Sequence, residues 1–270
     1  MRLRWAIALA IVTGGCTLLT SASDLTVEGE DAGVVDAALA EVAPPPDVGV
    51  PDTGPKGFCA SLTTTPFLCD DFDDLPLEEQ WQVYRERDAG VAVDEGGLSP
   101  PNALHLHYPD LTGFGFMAAA LQKRLVGSPK EIDVALSIWV EERSGQALDV
   151  VTIQQSAYEF GWEIAGNSGR VNFDTDRPNI EAGTGQIGEI FPTTALISSG
   201  RWVSVRLHVV VGDETASGEI FVDGASVGTH IFRKEAFVPD ALLTIGDDGM
   251  TDSNSEWRAK IDDVVVTLVP

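Results

Sequence analysis

The sequence predicts an all-β domain built as a two-sheet sandwich, and three observations support this prediction. From Phe58 onward, short apolar runs alternate with Gly, Asp, Asn and Pro, which is the pattern of strands joined by turns. Several runs alternate with a period of two, so that one side of the strand is apolar. No long segment repeats its apolar residues with the period of a helix. Many closely spaced strands in one domain indicate a sandwich or a barrel.

Eleven strands can be placed from the apolar runs. The run from Ile132 to Val140 is the clearest, because every second residue in it is a large aliphatic one. Asp223 and Gly224 separate two runs and therefore predict a hairpin turn. A helical turn is predicted within residues 77–87. The predicted strands span residues 103–108, 116–124, 132–141, 149–155, 158–164, 170–174, 202–211, 218–222, 226–232, 241–245 and 260–268.

Residues 1–15 have the features of an export signal. Arg2 and Arg4 precede a short apolar run at 5–12, and small residues follow it. The run is too short for a membrane-spanning helix, which needs about 20 apolar residues. The four residues TGGC that end at Cys16 resemble the lipobox of bacterial lipoproteins, in which the cysteine is lipidated and becomes the first mature residue. The resemblance implies a lipid anchor on Cys16 and a place in the bacterial cell envelope, facing the periplasm or the exterior.

Residues 16–56 are predicted to form a disordered, extended linker. The segment carries eight acidic residues and no basic residue before Lys56, and five prolines stiffen its second half. Such a segment buries too little apolar surface to offset the entropy cost of ordering. The globular domain is therefore predicted to span residues 57–270.

The charge balance excludes several classes of partner. The chain has 42 acidic and 17 basic residues and a net charge of −25. Loss of Arg2 and Arg4 with the signal gives −25 − 2 = −27 for the mature chain. Nucleic acids and anionic lipid surfaces bind clustered Lys and Arg, so neither is expected as a partner. We expect membrane attachment only through the lipid, a monomer in solution, and a tendency to bind cations.

The cysteine content predicts one disulfide. If Cys16 carries lipid, Cys59 and Cys69 are the remaining pair. Export places them in an oxidising compartment, where a disulfide persists. No histidine lies near them and their spacing is not Cys-x-x-Cys, so a disulfide is favoured over a metal or redox site.

Four short motifs, in their order along the domain, resemble a known superfamily. They are CDDFD from Cys69, RWVSV from Arg201, VDG from Val222 and IDDV from Ile261. Together they look like concanavalin A-like jelly-roll domains, a superfamily that includes laminin-G-like modules, lectins and laminarinase-type glycosidases. The resemblance covers residues 58–270 and implies two curved antiparallel sheets, with a ligand groove on the concave face.

Glu131 and Asp133 are the candidate remnant of a catalytic motif. Laminarinase-type hydrolases carry Glu-x-Asp-x-Glu on one strand, so that two carboxylates on one face flank the scissile bond as nucleophile and general acid. Here Ala135 replaces the third acid. Without an acid/base residue, the leaving group receives no proton. We therefore expect the domain not to be an enzyme, with a laminarinase-like hydrolase as the alternative.

The polar side of the same predicted strand is the candidate glycan-binding surface. Trp139 shares this side with Glu131, Asp133 and Ser137. Sugar-binding grooves combine an exposed aromatic ring with polar side chains of this kind. The predicted function is therefore carbohydrate binding by a surface lipoprotein. A structural envelope module that binds another envelope component is a second alternative.

Asp247, Asp248 and Asp262 are candidate ligands of a structural calcium ion. Calcium takes oxygen ligands from carboxylates and loop carbonyls, and the predicted loop at 246–255 is rich in both. The superfamily resemblance implies a calcium ion where the last strand meets the start of the domain, which favours Asp262. A solvated acidic loop without an ion is the alternative. No other cofactor is expected.

Overall fold

The structure, a computed structural model, describes residues 57–110, 116–155, 158–178, 186–233, 241–251 and 256–270. This part of the chain forms two single-turn helices, α1 (Phe58–Ser61) and α2 (Leu77–Gln80), and fifteen strands. The strands are β1 (Leu68–Asp70), β2 (Gln82–Glu86), β3 (Gly90–Glu95), β4 (Asn102–Tyr108), β5 (Phe116–Arg124), β6 (Glu131–Glu142), β7 (Leu148–Gln155), β8 (Tyr158–Ile164), β9 (Arg170–Pro178), β10 (Gln186–Leu196), β11 (Trp202–Val211), β12 (Thr215–Val222), β13 (Ala225–Arg233), β14 (Leu242–Thr251) and β15 (Trp257–Val269).

The strands form two antiparallel sheets, which confirms the predicted all-β sandwich. The eight-stranded sheet has the order β13-β12-β11-β6-β15-β4-β3, and β1 pairs with β15 outside this path. The seven-stranded sheet has the order β10-β9-β8-β7-β14-β5-β2. Neighbouring strands are often distant in sequence, as β6 and β15 are, so most of the sheet is held by long-range pairing.

The apolar core lies between the sheets. Ile132, Val134, Leu136, Ile138 and Val140 are all buried, as the period-two pattern of β6 predicts. The seven-stranded sheet contributes large aromatic side chains to the same core, among them the fully buried rings on β8. Burial of such side chains is worth roughly 25 cal/mol per Å² of apolar surface. The core therefore fixes which residues of each strand point inwards and which point outwards.

Four strands are not among those predicted from the sequence: β1, β2, β3 and β10. β2 and β3 are edge strands with mostly exposed side chains, so their apolar pattern is weak. β10 is the other edge of the seven-stranded sheet and contains Pro192, which a strand tolerates at an edge. The helical turn predicted within 77–87 is only α2, and β2 follows it directly.

β14 also corrects the sequence-based prediction. It continues to Thr251, whereas the prediction ended the strand at residue 245 and placed a loop at 246–255. Gly246 has a φ of 91°, and the pairing register with β5 shifts between Asp247 and Met250. A bulge of this kind lets the strand continue through residues whose composition is typical of a loop. Residues 252–255 lie outside the described part.

The predicted disulfide is confirmed. Cys59 on α1 and Cys69 on β1 are joined with an S–S distance of 2.07 Å. The backbone N–H of Cys59 also donates a hydrogen bond of 3.0 Å to Asp71. The start of the domain is thus attached to β1 and, through β1, to the last strand of the eight-stranded sheet.

The predictions for the N-terminal region lie outside the described residues. These are the export signal at 1–15, lipidation of Cys16 and the linker at 16–56. Across the described ranges, no helix has the length and apolar character required to span a membrane.

Candidate active site

The outer side of the seven-stranded sheet carries a patch of polar and acidic side chains. Strands β7, β8, β9 and β14 turn their apolar side chains into the core, so alternate residues point away from it. Cross-strand pairing aligns these outward residues in rows, one of which runs through Thr244, Thr152, Gly161 and Asp174. We refer to the following outward residues as the acidic face: Gln122, Asp149, Thr152, Glu159, Glu163, Asn172, Asp174, Asp176, Thr244 and Asp248.

Strand β8 supplies the two glutamates of the acidic face. Phe160 and Trp162 are buried in the core, so Glu159, Gly161 and Glu163 alternate with them on the outer side. Gly161 is required by the close approach of β7, because a Cβ atom there would lie 2.1 Å from the carbonyl oxygen of Val151. The outward sequence is therefore Glu-x-Gly-x-Glu.

An aspartate from the neighbouring strand lies between these glutamates. Asp174 on β9 pairs with Gly161, the residue midway between Glu159 and Glu163. Directly opposed residues on antiparallel strands have their side chains on the same face. Two strands together thus present a glutamate, an aspartate and a glutamate, with the aspartate displaced sideways from the two glutamates by one strand spacing, about 4.8 Å.

Three carboxylates of the acidic face converge. Asp149 on β7, Glu163 on β8 and Asp174 on β9 each place an oxygen atom within 4.8 Å of the others. The side-chain amide of Asn172 donates a hydrogen bond of 2.6 Å to Glu163 Oε1. Divalent cations take sets of carboxylate oxygens such as this one. Asp149, Glu163 and Asp174 are therefore the described residues that could hold a metal ion.

Burial and mutual repulsion favour the protonated form of two of these acids. Burial, followed by the negative charge of Asp248, raises the pKa of Glu159 to about 8. Burial, followed by the charge of Asp247, raises the pKa of Asp149 well above its usual range. Glu159 is therefore mostly protonated at neutral pH and could donate a proton, and the same causes favour the protonated form of Asp149.

Glu163 and Asp174 have different surroundings. Burial raises the pKa of Glu163, but the hydrogen bond from Asn172 opposes this shift because it stabilises the carboxylate. Burial, with the charge of Glu163, raises the pKa of Asp174 to about 6. Asp174 is therefore mostly ionised at pH 7, beside a protonated Glu159. Pairs of acids with separated pKa values are typical of sites that use one as an acid and the other as a carboxylate.

Three buried oxygen atoms of the acidic face have no hydrogen-bond partner. They are Asp149 Oδ1, Asn172 Oδ1 and Thr244 Oγ1. Asn172 and Thr244 are almost fully buried, at 6% and 1% exposure. Buried polar atoms are normally satisfied, so each of these oxygens can accept a hydrogen bond from water or from a bound ligand. Glu159, Asp174 and Asp176 are only half-buried and form the side of the cluster that is open to solvent.

The residues predicted from the sequence as the glycan site lie on the other sheet. Glu131, Asp133, Ser137 and Trp139 share the outer side of β6, as alternation predicts. There, Trp139 packs edge-on against Trp202, with ring centroids 6.0 Å apart.

Asp133 has partners that occupy its carboxylate. Arg206 donates two hydrogen bonds to it, of 2.6 and 2.5 Å, and His208 Nδ1 lies 3.0 Å away. The register pairs Asp133 with His208 directly. Asp133 thus takes part in an ion-pair network on the eight-stranded sheet and is distant from the convergent carboxylates of the seven-stranded sheet.

The three aspartates predicted as calcium ligands do not form one site. Asp247 and Asp248 are on β14, and the backbone N–H of Asp247 donates to the hydroxyl of Tyr108, the last residue of β4. On β15, Ile261 pairs with Leu104 near the start of β4, and Asp262 is the next residue. β14 belongs to the seven-stranded sheet and β15 to the eight-stranded sheet, so the three aspartates are divided between the two sheets. The Asp262 carboxylate accepts hydrogen bonds from the backbone N–H groups of Ser99 and Asp263 instead.

The acidic face was detectable from one signal in the sequence. Glu159 and Glu163 alternate with two large aromatic residues, Phe160 and Trp162, that are core by type. An outward glutamate pair follows directly from that pattern. The contribution of Asp174 was not detectable, because it depends on the pairing of β8 with β9 and on the register of that pair.

Comparison with known proteins gives one family match and a set of solved structures of the same fold. The family model described as the concanavalin A-like lectin/glucanases superfamily matches residues 121–267. A search of curated protein sequences finds no match.

Solved structures share the fold at low sequence identity. An endo-β-1,4-glucuronan lyase from the fungus Trichoderma reesei is 15% identical, with 76% of this chain and 96% of that chain covered and a TM-score of 0.57. A glycoside hydrolase family 16 endo-glucanase from Bacteroides ovatus is 14% identical, with 74% and 99% covered and a TM-score of 0.50. An endo-1,3-β-glucanase from Streptomyces sioyaensis is 11% identical, with 76% and 97% covered and a TM-score of 0.50.

These structures correct one prediction from the sequence. The expectation that the domain is not an enzyme is contradicted, because the proteins of this fold that it resembles are a lyase and two glucanases. Identities of 11–15% show the shared fold and leave the reaction to be inferred from the site. The family model covers more than half of the chain, and the fold agrees with it. The chain therefore belongs to the concanavalin A-like lectin/glucanase superfamily.

Proposed function

We propose that the protein is a glycoside hydrolase that binds a polysaccharide across the acidic face. One observation carries the proposal: Glu159 and Glu163 project from the same side of an interior strand, with Asp174 opposite the residue between them. Hydrolysis of a glycosidic bond requires two carboxyl groups on either side of the scissile bond, one protonated and one ionised. The acidic face supplies acids in both states.

Glu159 is assigned as the general acid. Its raised pKa keeps the carboxyl group protonated at neutral pH, and it is half-buried at the open side of the cluster. Glu163 is assigned as the nucleophile, since the hydrogen bond from Asn172 orients one of its oxygens and stabilises its ionised form. Asp174 is a positioning residue whose negative charge contributes, after burial and the charges of Asp248 and Asp176, to the raised pKa of Glu159.

The reaction follows from these assignments. Glu163 attacks the anomeric carbon as the bond to the leaving sugar breaks, and Glu159 donates its proton to the leaving oxygen. Glu159 then removes a proton from water, which attacks the anomeric carbon and releases the sugar from Glu163. One water molecule is consumed for each bond cleaved, and the configuration at the anomeric carbon is retained.

The rim of the acidic face offers apolar contacts for sugar rings. Tyr84 on β2 is 37% exposed. It lies on the outer side because it is two residues from Gln82, which pairs with the outward residue Gln122. At the opposite edge, Ile190 on β10 pairs with Asp174 and is 57% exposed. Sugar rings pack against such side chains through their C–H faces, and aromatic rings contribute the larger area. These residues support binding of an extended chain that crosses several strands.

The experiment is a measurement of reducing ends released from a panel of soluble polysaccharides. We expect the wild-type protein to cleave at least one of them with retention of anomeric configuration, which proton NMR detects. Glu159→Gln and Glu163→Gln each lower kcat by about 10²–10⁴-fold, the usual contribution of an acid or nucleophile. Glu214→Gln, in the exposed turn after β11, is the matched control and keeps full activity. A wild-type protein that is folded and cleaves no member of the panel contradicts the proposal.

We also propose that the enzyme is an exported lipoprotein attached through Cys16. The basic start, the apolar run and the TGGC sequence support this proposal. Mass spectrometry of the protein made in a bacterial host with a lipoprotein pathway should find a diacylglyceryl group on residue 16. Cys16→Ala should then yield protein without lipid, and an unmodified Cys16 in the wild type contradicts the proposal.

A further inference from the structure

We infer that the acidic face selects a polysaccharide that carries protonated amino groups, such as a polymer of glucosamine. This inference rests on the proposed function and names the substrate class of the same site. Two observations carry it: the charge of the outward residues and the unsatisfied acceptors buried among them.

The charge of the acidic face is one-sided. Six acidic side chains point outwards from the interior strands: Asp149, Glu159, Glu163, Asp174, Asp176 and Asp248. Glu159 is mostly protonated at neutral pH and Asp174 is mostly ionised, so the net charge of the set is negative without being six full charges. Two described arginines share this side by alternation, Arg124 and Arg170, and each is at the end of its strand. Arg124 is three strands from Glu159, which is about 14 Å at the usual strand spacing. A negatively charged polymer would be repelled from this surface.

Neighbouring carboxylates of this cluster repel one another. Asp149, Glu163 and Asp174 approach within 4.8 Å, and the charges that act on Asp149 all come from other acids. A positive group placed among them would lower the free energy of the ionised forms. The site therefore favours a ligand that carries positive charge over a neutral ligand of the same shape.

The unsatisfied oxygens require hydrogen-bond donors. The Asn172 amide nitrogen donates to Glu163, so the amide oxygen of Asn172, which has no partner, also lies at the cluster. Asp149 Oδ1 is a second such acceptor. A protonated amino group has three N–H donors and one positive charge, and it can satisfy several of these acceptors at once. An N-acetylated or a hydroxyl-bearing sugar offers fewer donors and no charge.

The test compares three hexasaccharides of similar length: β-1,4-linked glucosamine, its N-acetylated form, and cellohexaose. At low ionic strength, kcat/KM should be at least about tenfold higher for the glucosamine hexamer than for the other two. The advantage should shrink as sodium chloride is raised to 0.5 M, because salt screens the attraction. Asp176→Asn should raise KM for the glucosamine hexamer several-fold. The control Glu214→Gln changes the net charge equally but leaves KM unaltered.

The rates on the three hexamers test the amino-sugar preference separately from the hydrolase activity. Cleavage of the neutral hexamers at an equal or higher kcat/KM overturns the amino-sugar inference and leaves the hydrolase proposal intact. If no hexamer is cleaved, calorimetric binding decides the inference: preferential binding of the glucosamine hexamer supports it, and equal or absent binding overturns it. Calcium binding that is abolished by Asp149→Asn and that excludes the glucosamine hexamer also overturns it, because the carboxylates would then form a metal site.

Discussion

Asp174 on β9 lies directly opposite Gly161 on β8. Because Gly161 has no side chain, the only acidic side chain at the position midway between Glu159 and Glu163 is that of Asp174. A three-acid arrangement is thus assembled from two strands. The same arrangement could be made by one strand only if its middle residue carried an acid, which the close approach of Val151 prevents. The packing of β7 against β8 and the chemistry of the acidic face are therefore linked through one glycine.

Gly161→Ala should destabilise the fold. The added Cβ atom would meet the Val151 carbonyl oxygen at 2.1 Å, so β7 and β8 must move apart. Forced overpacking of this kind costs about 1–3 kcal/mol in the free energy of unfolding, measured by urea denaturation. Gly249→Ala is the control, because a Cβ there meets no atom within 4 Å. Equal stability of the two variants would show that the strands separate freely at this point.

The stability of the protein should fall as pH rises from about 5 to about 8. Glu159, Asp247 and Asp174 have pKa values of about 8, 7 and 6 in the folded protein, above their ordinary values. Between each ordinary value and each raised value, the folded state binds more protons than the unfolded state, so the free energy of unfolding decreases with pH. Each group contributes at most about 1.4 kcal/mol per pH unit within its window.

Urea midpoints at pH 5.5, 7.0 and 8.5 measure this decline. Glu159→Gln should make the decline shallower across the whole range from pH 5.5 to about 8, because its amide does not ionise. Glu214→Gln, which is exposed, should leave the profile of the wild type unchanged. A urea midpoint that stays constant or increases up to pH 8.5 would show that ionisation of these acids does not lower the free energy of unfolding, and would contradict their raised pKa values.

Asn172→Ala should shift the pH dependence of hydrolysis. The amide of Asn172 donates to Glu163 and stabilises its ionised form, so its loss raises the pKa of Glu163. The acidic limb of the kcat/KM profile should move to higher pH, while the activity at its optimum falls modestly. Asn167→Ala, in the exposed turn between β8 and β9, is the matched control. An unmoved acidic limb would mean that Glu163 is not the group that must be ionised.

Removal of the disulfide should lower the free energy of unfolding. The bond closes a loop between residues separated by 10 positions, which corresponds to about 2–3 kcal/mol in the chain-entropy description. We expect this loss in the double variant Cys59→Ser, Cys69→Ser, measured by urea denaturation. A reducing agent should destabilise the wild type by a similar amount and should not affect the double variant. Equal stability of the oxidised wild type and the double variant would contradict the prediction.

Much of the fold could be predicted from the sequence because period-two alternation is a local property. The first and last residues of β5, β8 and β11 agree with those of the predicted strands. On β6, every aliphatic residue predicted to face the core is buried. The edge strands β2, β3 and β10 were missed, since a strand with an exposed edge needs no continuous apolar pattern.

The site could not be predicted in the same way. Glu131 and Asp133 match an acidic motif locally, but β6 belongs to the eight-stranded sheet, where Arg206 pairs with Asp133. The convergent acids come from three strands, and only the register of β7, β8 and β9 brings Asp149, Glu163 and Asp174 together. Register is set by long-range pairing, which a single sequence does not display.

The most direct test of a hydrolase on the seven-stranded sheet is the rate of reducing-end release by the wild type, Glu159→Gln and Glu131→Gln on one polysaccharide. The first glutamate is on the acidic face and the second is on β6 of the other sheet. We predict that Glu159→Gln lowers kcat by about 10²-fold or more and that Glu131→Gln stays within about twofold of the wild type. Loss of activity in Glu131→Gln with a fully active Glu159→Gln would contradict the assignment of the active site.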